Sequence, residues 1–156
     1  MLEKIDLNCD MGEGYTTDAL IMPLISSANI ACGYHAGGGE LMRQTIRLAL
    51  QHQVAIGAHP SFEDKEGFGR REMHLSSEEI YQIVLDQVNI IRKAAAEEGA
   101  KLHHIKPHGA LYNMAAKDAM IADAISRAIK AIDASLVLCG LPNSASERSA
   151  AQYGLQ

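Results

Sequence analysis

Four short stretches set acids, histidines, lysine and arginine among glycines: DMGEG at 10–14, GYHAGGGE at 33–40, GAHPSFEDKEGFGRR at 57–71 and KPHGALYN at 106–113. Together with Asn8 they supply Asp10, Glu13, His35, His59, Asp64, Arg70, Arg71, Lys106, His108 and Asn113 as candidate site residues. Two carboxylates gathered with three histidines can work as general base and acid, or hold a divalent metal, and Asp10, His35 and His59 are the candidate ligands. The histidines lie too far apart in sequence for a local metal motif, so spacing does not choose between these chemistries. Arg70, Arg71 and Lys106 offer fixed positive charge suited to a carboxylate or a phosphoryl group. The glycines at 33 and 37–39 permit close backbone approach and precede a helix whose N-terminal amides favour an anion. The chain has no G-x-x-x-x-G-K-[ST], hence no P-loop of its own.

Each residue also has a plainer reading. Asp10 or Glu13 can cap a helix. Arg70 and Arg71 can pair with Glu63, Asp64 or Glu66 on a solvated loop. His52 and His74 fit solvated positions. His103 and His104 have opposite strand parity, so at most one of them faces the interior.

These residues can share a site only if the elements between them bring them together. Apolar runs bounded by Gly, Pro or Asn recur at 4–9, 28–33, 54–58, 102–106 and 135–140, and read as buried strands. Between them, helical spacing links Met42, Ile46, Ala49 and Leu50, then Ile80, Val84, Gln87 and Ile91, then Ile121, Ile125, Ala128 and Ile132. Ser76 and Glu79 form a capping box, and Gly99 stops the second helix. Shorter helices are predicted over 17–26 and 144–153. Five strand–helix alternations predict an α/β fold with a parallel sheet, either doubly wound or a (β/α) barrel. In both, ligands bind at the C-terminal strand ends, which is where all four polar stretches fall.

Composition narrows the partners. The 156 residues are 47% hydrophobic and 21% charged, as in one globular domain. A net charge of -5 without a Lys/Arg run argues against nucleic acid or an anionic membrane as partner. The apolar runs are short and Glu3 interrupts the N-terminus, so neither a signal peptide nor a spanning helix is predicted, and a cytoplasmic location follows. Cys9, Cys32 and Cys139 are an odd set without C-x-x-C spacing and read as reduced thiols.

The segments DLNCDMGEG, SSANIACGYHAG, GAHPSFEDKEGFGRR and KPHGALYN, in this order, resemble the LamB/YcsF family over essentially the whole chain. The resemblance implies a seven-stranded (β/α) barrel of the glycoside hydrolase and polysaccharide deacetylase type. It also implies the role of the A subunit in an ATP-dependent 5-oxoprolinase, which opens 5-oxo-L-proline to L-glutamate together with subunits B and C. ATP is then a co-substrate. Asp10 or Glu13 is the expected general base, and His59 or His108 the proton donor to the ring nitrogen. Arg71 or Lys106 is expected to hold the substrate carboxylate or a phosphate, with Asn8, His35, Arg70 and Asn113 also lining the substrate. Two departures stand out. Where the family usually reads HAGDP, this chain has HAGGGE, so Gly38 and Gly39 replace the Asp and Pro that would start the next helix. The family's later motif is missing, and a complete barrel takes about 250 residues, so residues 1–156 are expected to be a single domain truncated after about five β/α units. Open edges would favour a homo-oligomer. The alternatives are a metal-dependent deacetylase or amidohydrolase of the same superfamily, and a non-catalytic remnant that only binds partners.

Overall fold

The computed structural model describes residues 5–156. The expectations for the N-terminus, including the start of the first strand at Lys4, fall on 1–4 and lie outside the described residues. Five strands form one sheet: β1 (Asn8–Met11), β2 (Ser27–Ala31), β3 (Ala55–His59), β4 (Leu102–Ile105) and β5 (Val137–Leu138). The helices are α1 (Asp18–Ile21), which continues into a 3-10 turn at Met22–Leu24, α2 (Gly39–Gln51), α3 (Ser77–Glu97), α4 (Gly109–Ala115), α5 (Ala119–Ile132) and α6 (Ala145–Tyr153).

The sheet order is β1-β2-β3-β4-β5, and every neighbouring pair is parallel. The order advances one strand at a time and never reverses. A doubly wound sheet reverses at a switch point, and the described sheet has none. β1 and β5 are its edges, so the closed barrel is not part of what is described; the observed architecture is a five-stranded parallel sheet with six α-helices.

One face of the sheet builds the core. Ile30, Ile56, Ala58 and Ile105 are buried there with Met42 and Ile46 of α2, Ile80, Val84 and Ile91 of α3, and Ile125 and Ile129 of α5. Each fully buried aliphatic side chain contributes about 1.5–3 kcal/mol relative to exposure. Helix starts follow local sequence. The Ser76 hydroxyl accepts from the Glu79 N–H while the Glu79 carboxylate accepts from the Ser76 N–H at 2.8 Å, and the Asp118 carboxylate accepts from the Met120 N–H at 2.8 Å.

Three local expectations change. β1 begins later than the run at 4–9, because Leu7 is tied to Ser26 instead: its N–H donates to Ser26 Oγ at 2.7 Å and its carbonyl accepts from the Ser26 N–H at 2.9 Å. The stretch at 106–113, expected only to follow a strand end, also holds the start of a helix not predicted from sequence, α4, which buries Ala110, Leu111 and Ala115. α2 starts from Gly38 without a side-chain cap, and Gly39 has φ +52°. Proline, fixed near φ −65°, cannot take Gly39's conformation, so this loop differs from one opened by Asp-Pro.

Candidate functional site

The opposite face of the sheet is polar, and register explains why. Asn8 pairs with Ser27, Asp10 with Asn29, Asn29 with Gly57, and Gly57 with His104, so their positions share one side. Between Ile56 and Gly57 the β3–β4 register slips, since Ile56 faces Leu102 but Gly57 faces His104. The extra residue is His103. This bulge turns His104 onto the polar face, 2% exposed, and leaves His103 exposed.

A hydrogen-bonded net covers that face. Asn29 is fully buried and uses its whole amide. Its Nδ2 donates to Asn8 Oδ1 at 2.5 Å and to Asp10 Oδ1 at 2.8 Å, while its Oδ1 accepts from Asn8 Nδ2 at 3.1 Å and from His104 Nε2 at 2.7 Å. Asn8 Nδ2 also donates to Ser27 Oγ at 2.7 Å. Lys106 Nζ donates to Asp10 Oδ1 at 2.8 Å. Burial opposes ionisation of Asp10, but His59, Lys106 and Asn29 outweigh it and hold the carboxyl well below the usual carboxylate range. Burial, chiefly, pushes His104 down to about 4.

At the C-terminal ends of the strands the net meets a second cluster. Glu13 follows β1, His35 follows β2, His59 ends β3, and His108 is the residue before α4. Each offers a donor atom within 4.8 Å of the others, and the three histidines are buried. Glu13 Oε1 lies 3.2 Å from His35 Nε2, 3.7 Å from His108 Nδ1 and 3.9 Å from His59 Nε2. The His35 and His108 rings stack at 3.9 Å, with His59 edge-on to both. His59 Nδ1 sits 2.6 Å from the Lys106 carbonyl, and His108 Nε2 2.8 Å from the Phe68 carbonyl. Burial and the neighbouring His35 and His59 push His108 down to about 4. His35 Nδ1 is buried without a hydrogen-bond partner among the described residues.

The loop after β3 is shaped by the same packing. Gly69 has φ +65°, and a Cβ there would press on His108, His35 and Ser61. A Cβ on Gly109 would collide with the Gly69 carbonyl, so the two loops touch backbone to backbone.

Asn8, Asp10, Glu13, His35, His59, Lys106 and His108 are thus brought together. Of the proposed metal set, His35 and His59 join the donor cluster but Asp10 does not; its carboxylate is engaged by Lys106 and Asn29, and Glu13 and His108 complete the group instead. Arg70, Arg71 and Asn113 do not reach the cluster. The Arg71 guanidinium chelates Asp64, whose carboxylate also accepts from the Gly67 N–H at 2.9 Å, so this pair closes the loop. Arg70 is exposed and lies over the Phe68 ring at 5.3 Å. Asn113 is exposed on α4. Asn29 and His104 were not singled out from sequence. A polar residue inside the apolar run SSANIAC, two positions beyond Ser27, was the available signal for Asn29; for His104 only the bulge decides.

The comparisons with known proteins agree with this architecture. The chain is 54% identical over 152 residues to the 5-oxoprolinase A subunit of Erwinia tasmaniensis, covering 97% of this chain and 62% of the relative. It is 52% identical over 160 residues to the 5-oxoprolinase A subunit of Tolumonas auensis, covering 99% of this chain and 64% of that protein. The chain therefore spans somewhat less than two thirds of the length of these curated relatives. The crystal structure of the lactam utilization protein from Thermus thermophilus superposes with a TM-score of 0.96 at 48% identity, over 99% of this chain and 64% of that one. No described helix is long and apolar enough to cross a membrane. The model of the LamB/YcsF family matches residues 5–156, and the chain belongs to that family.

Proposed function

We propose that this chain acts within the A subunit of an ATP-dependent 5-oxoprolinase, hydrolysing the lactam of 5-oxo-L-proline to L-glutamate in complex with subunits B and C. The observation that carries the reading is the meeting, at one sheet edge, of the Asp10–Lys106 pair with the Glu13–His35–His59–His108 cluster, in a chain 54% identical to a 5-oxoprolinase A subunit. The one-directional strand order supports placing the sheet in the wall of a (β/α) barrel of the seven-stranded type.

A five-membered lactam is an unactivated amide, and opening it adds one water across the C–N bond. ATP, when bound by the complex, supplies activation of the lactam oxygen and consumes a second water. Within this chain, Asp10 accepts a proton as water adds to the carbonyl carbon and returns it to the ring nitrogen as the C–N bond breaks. Its partial exposure, with 37% of the side chain accessible, leaves it open to substrate. Lys106 holds the substrate carboxylate or the transferred phosphoryl group, beside the aromatic face of Tyr112 at 5.9 Å. Asn29, anchored by His104 and Asn8, orients Asp10. With no P-loop in this chain, nucleotide binding is assigned to the assembled complex.

The test is glutamate release from 5-oxoproline by the chain mixed with subunits B and C, with and without ATP. ATP-dependent release that falls at least about 100-fold in Asp10→Asn supports the reading. Full release by Asp10→Asn overturns the role of Asp10. The donor cluster also favours a second reading, an ATP-independent metal-dependent amidohydrolase or deacetylase, which release or deacetylation without ATP would establish. No turnover in any mixture, with the partners still bound, would identify a partner-binding chain.

A further inference from the structure

We propose that Glu13, His35, His59 and His108 form a binding site for one divalent transition-metal ion of the zinc type. The argument starts from which nitrogens carry hydrogen. A carbonyl oxygen only accepts, so His59 must donate from Nδ1 to the Lys106 carbonyl and His108 from Nε2 to the Phe68 carbonyl. In the neutral rings this leaves lone pairs on His59 Nε2 and His108 Nδ1. Those two atoms face each other at 2.9 Å. Glu13 Oε1 stands 3.9 and 3.7 Å from them, and Asp10 Oδ1 stands 3.4 Å from His59 Nε2. His59 Nε2, His108 Nδ1 and Glu13 Oε1, three electron-rich atoms around one point, repel unless a cation lies among them, whereas Asp10 Oδ1 already has Lys106 Nζ at 2.8 Å.

A proton on His59 Nε2 would offset its contacts with His108, Asp10 and Glu13, but would leave Glu13 Oε1 facing His108 Nδ1 at 3.7 Å. A metal ion would engage all the donors of the cluster at once. Tetrahedral zinc with ligands at about 2.0–2.2 Å sets ligand atoms roughly 3.3–3.6 Å apart, and the separations here run from 2.9 to 3.9 Å for the pairs just described, with the donor atoms of the cluster all within 4.8 Å. Imidazole with carboxylate is the donor chemistry that zinc, cobalt and nickel share. The backbone carbonyls behind His59 and His108 are the second layer that fixes tautomer and ring direction for ligating histidines. Among the described residues His35 has no such partner, which makes it the least firmly oriented of the three. The ion would supply Lewis acidity beside Asp10.

The inference rests on the donor geometry and not on the lactam reading, so it is tested by binding alone. Untagged full chain is stripped with chelator, equilibrated with Zn2+ or Co2+, freed of excess metal and assayed for bound metal. We expect about one equivalent per chain, a tetrahedral Co2+ absorption band, and a rise in Tm with added Zn2+. His59→Ala and Glu13→Gln should each weaken binding about 100-fold or more, beyond the 10–100-fold typical of losing a supporting group. The exposed-surface control His52→Gln should bind as the parent does. A folded parent chain that takes up no metal and shows no Zn2+-dependent Tm shift overturns the proposal and leaves the shared proton. Equal binding by His59→Ala, folded by circular dichroism, overturns it as well.

Discussion

Replacing Gly57 by Ala tests whether the polar face is a packed, mutually dependent net. Gly57 lies in β3 directly beneath the His104 ring, and a Cβ there would come within 2.5 Å of three ring atoms. His104 cannot yield freely, because its Nε2 donates to Asn29 at 2.7 Å and Asn29 in turn holds Asn8 and Asp10. Overpacking of a well-filled interior costs about 1–3 kcal/mol. Displacing the ring also leaves a lone-pair position of the buried Asn29 unfilled, for about 1–3 kcal/mol more. The expected loss is therefore about 2–5 kcal/mol, large against the 5–15 kcal/mol typical of a folded domain. Urea unfolding followed by circular dichroism should show the midpoint lower by about 1 M or more, with slope unchanged. A double-mutant cycle sharpens the test. His104→Ala removes the obstacle, so Gly57→Ala in that background should cost little, giving a coupling of about 2 kcal/mol or more. A Gly57→Ala variant within about 0.5 kcal/mol of the parent, or additive effects in the cycle, would refute the reasoning.

Stability should depend on pH through His104, whose surroundings include Asn29, His103, Asp6, His59 and Lys106. Its folded pKa near 4 lies below the ordinary 6.5, so the unfolded chain binds the proton first. This contribution is constant above about pH 6.5 and is lost as pH falls toward 4, by at most about 3 kcal/mol; urea titrations at several pH values should show the slope flatten in His104→Gln. Lys106→Met should change stability by less than about 1 kcal/mol, because the Asp10 pair is partly exposed, yet lower ATP-dependent ring opening in the assembled enzyme about 100-fold. Thermal unfolding of Asp118→Ala should reveal a loss of about 1 kcal/mol, since that carboxylate caps α5 through the Met120 N–H.

Much of the fold was legible because it is written in local periodicity. The stripes Met42–Ile46–Ala49, Ile80–Val84–Ile91 and Ile121–Ile125–Ala128 announced α2, α3 and α5, and those residues are buried. The capping box at Ser76 and Glu79 marked the start of α3 to the residue. α4 escaped notice because its seven residues show too few turns for a period to register, and its first glycine resembles loop punctuation. Arg70 and Arg71 read either as substrate ligands or as partners of Glu63, Asp64 or Glu66; only the folded loop chooses, by burying Asp64 beneath it, seven residues back from the Arg71 that it pairs with.

By itself, then, the sequence determined the alternation of strand and helix, and with it the collection of Asp10, Glu13, His35, His59, Lys106 and His108 at one edge, since parallel strands deliver every C-terminal end to the same side. The tertiary structure decided how those groups are divided. Strand register and the single extra residue at His103 turned His104 and Asn29 onto the face beneath Asp10, making one net with Lys106. The carbonyls of Lys106 and Phe68 fixed the tautomers of His59 and His108, making a separate cluster with Glu13 and His35. Neither division could be read from spacing, because both depend on atoms that come within about 3 Å of one another across loops and strands far apart along the chain.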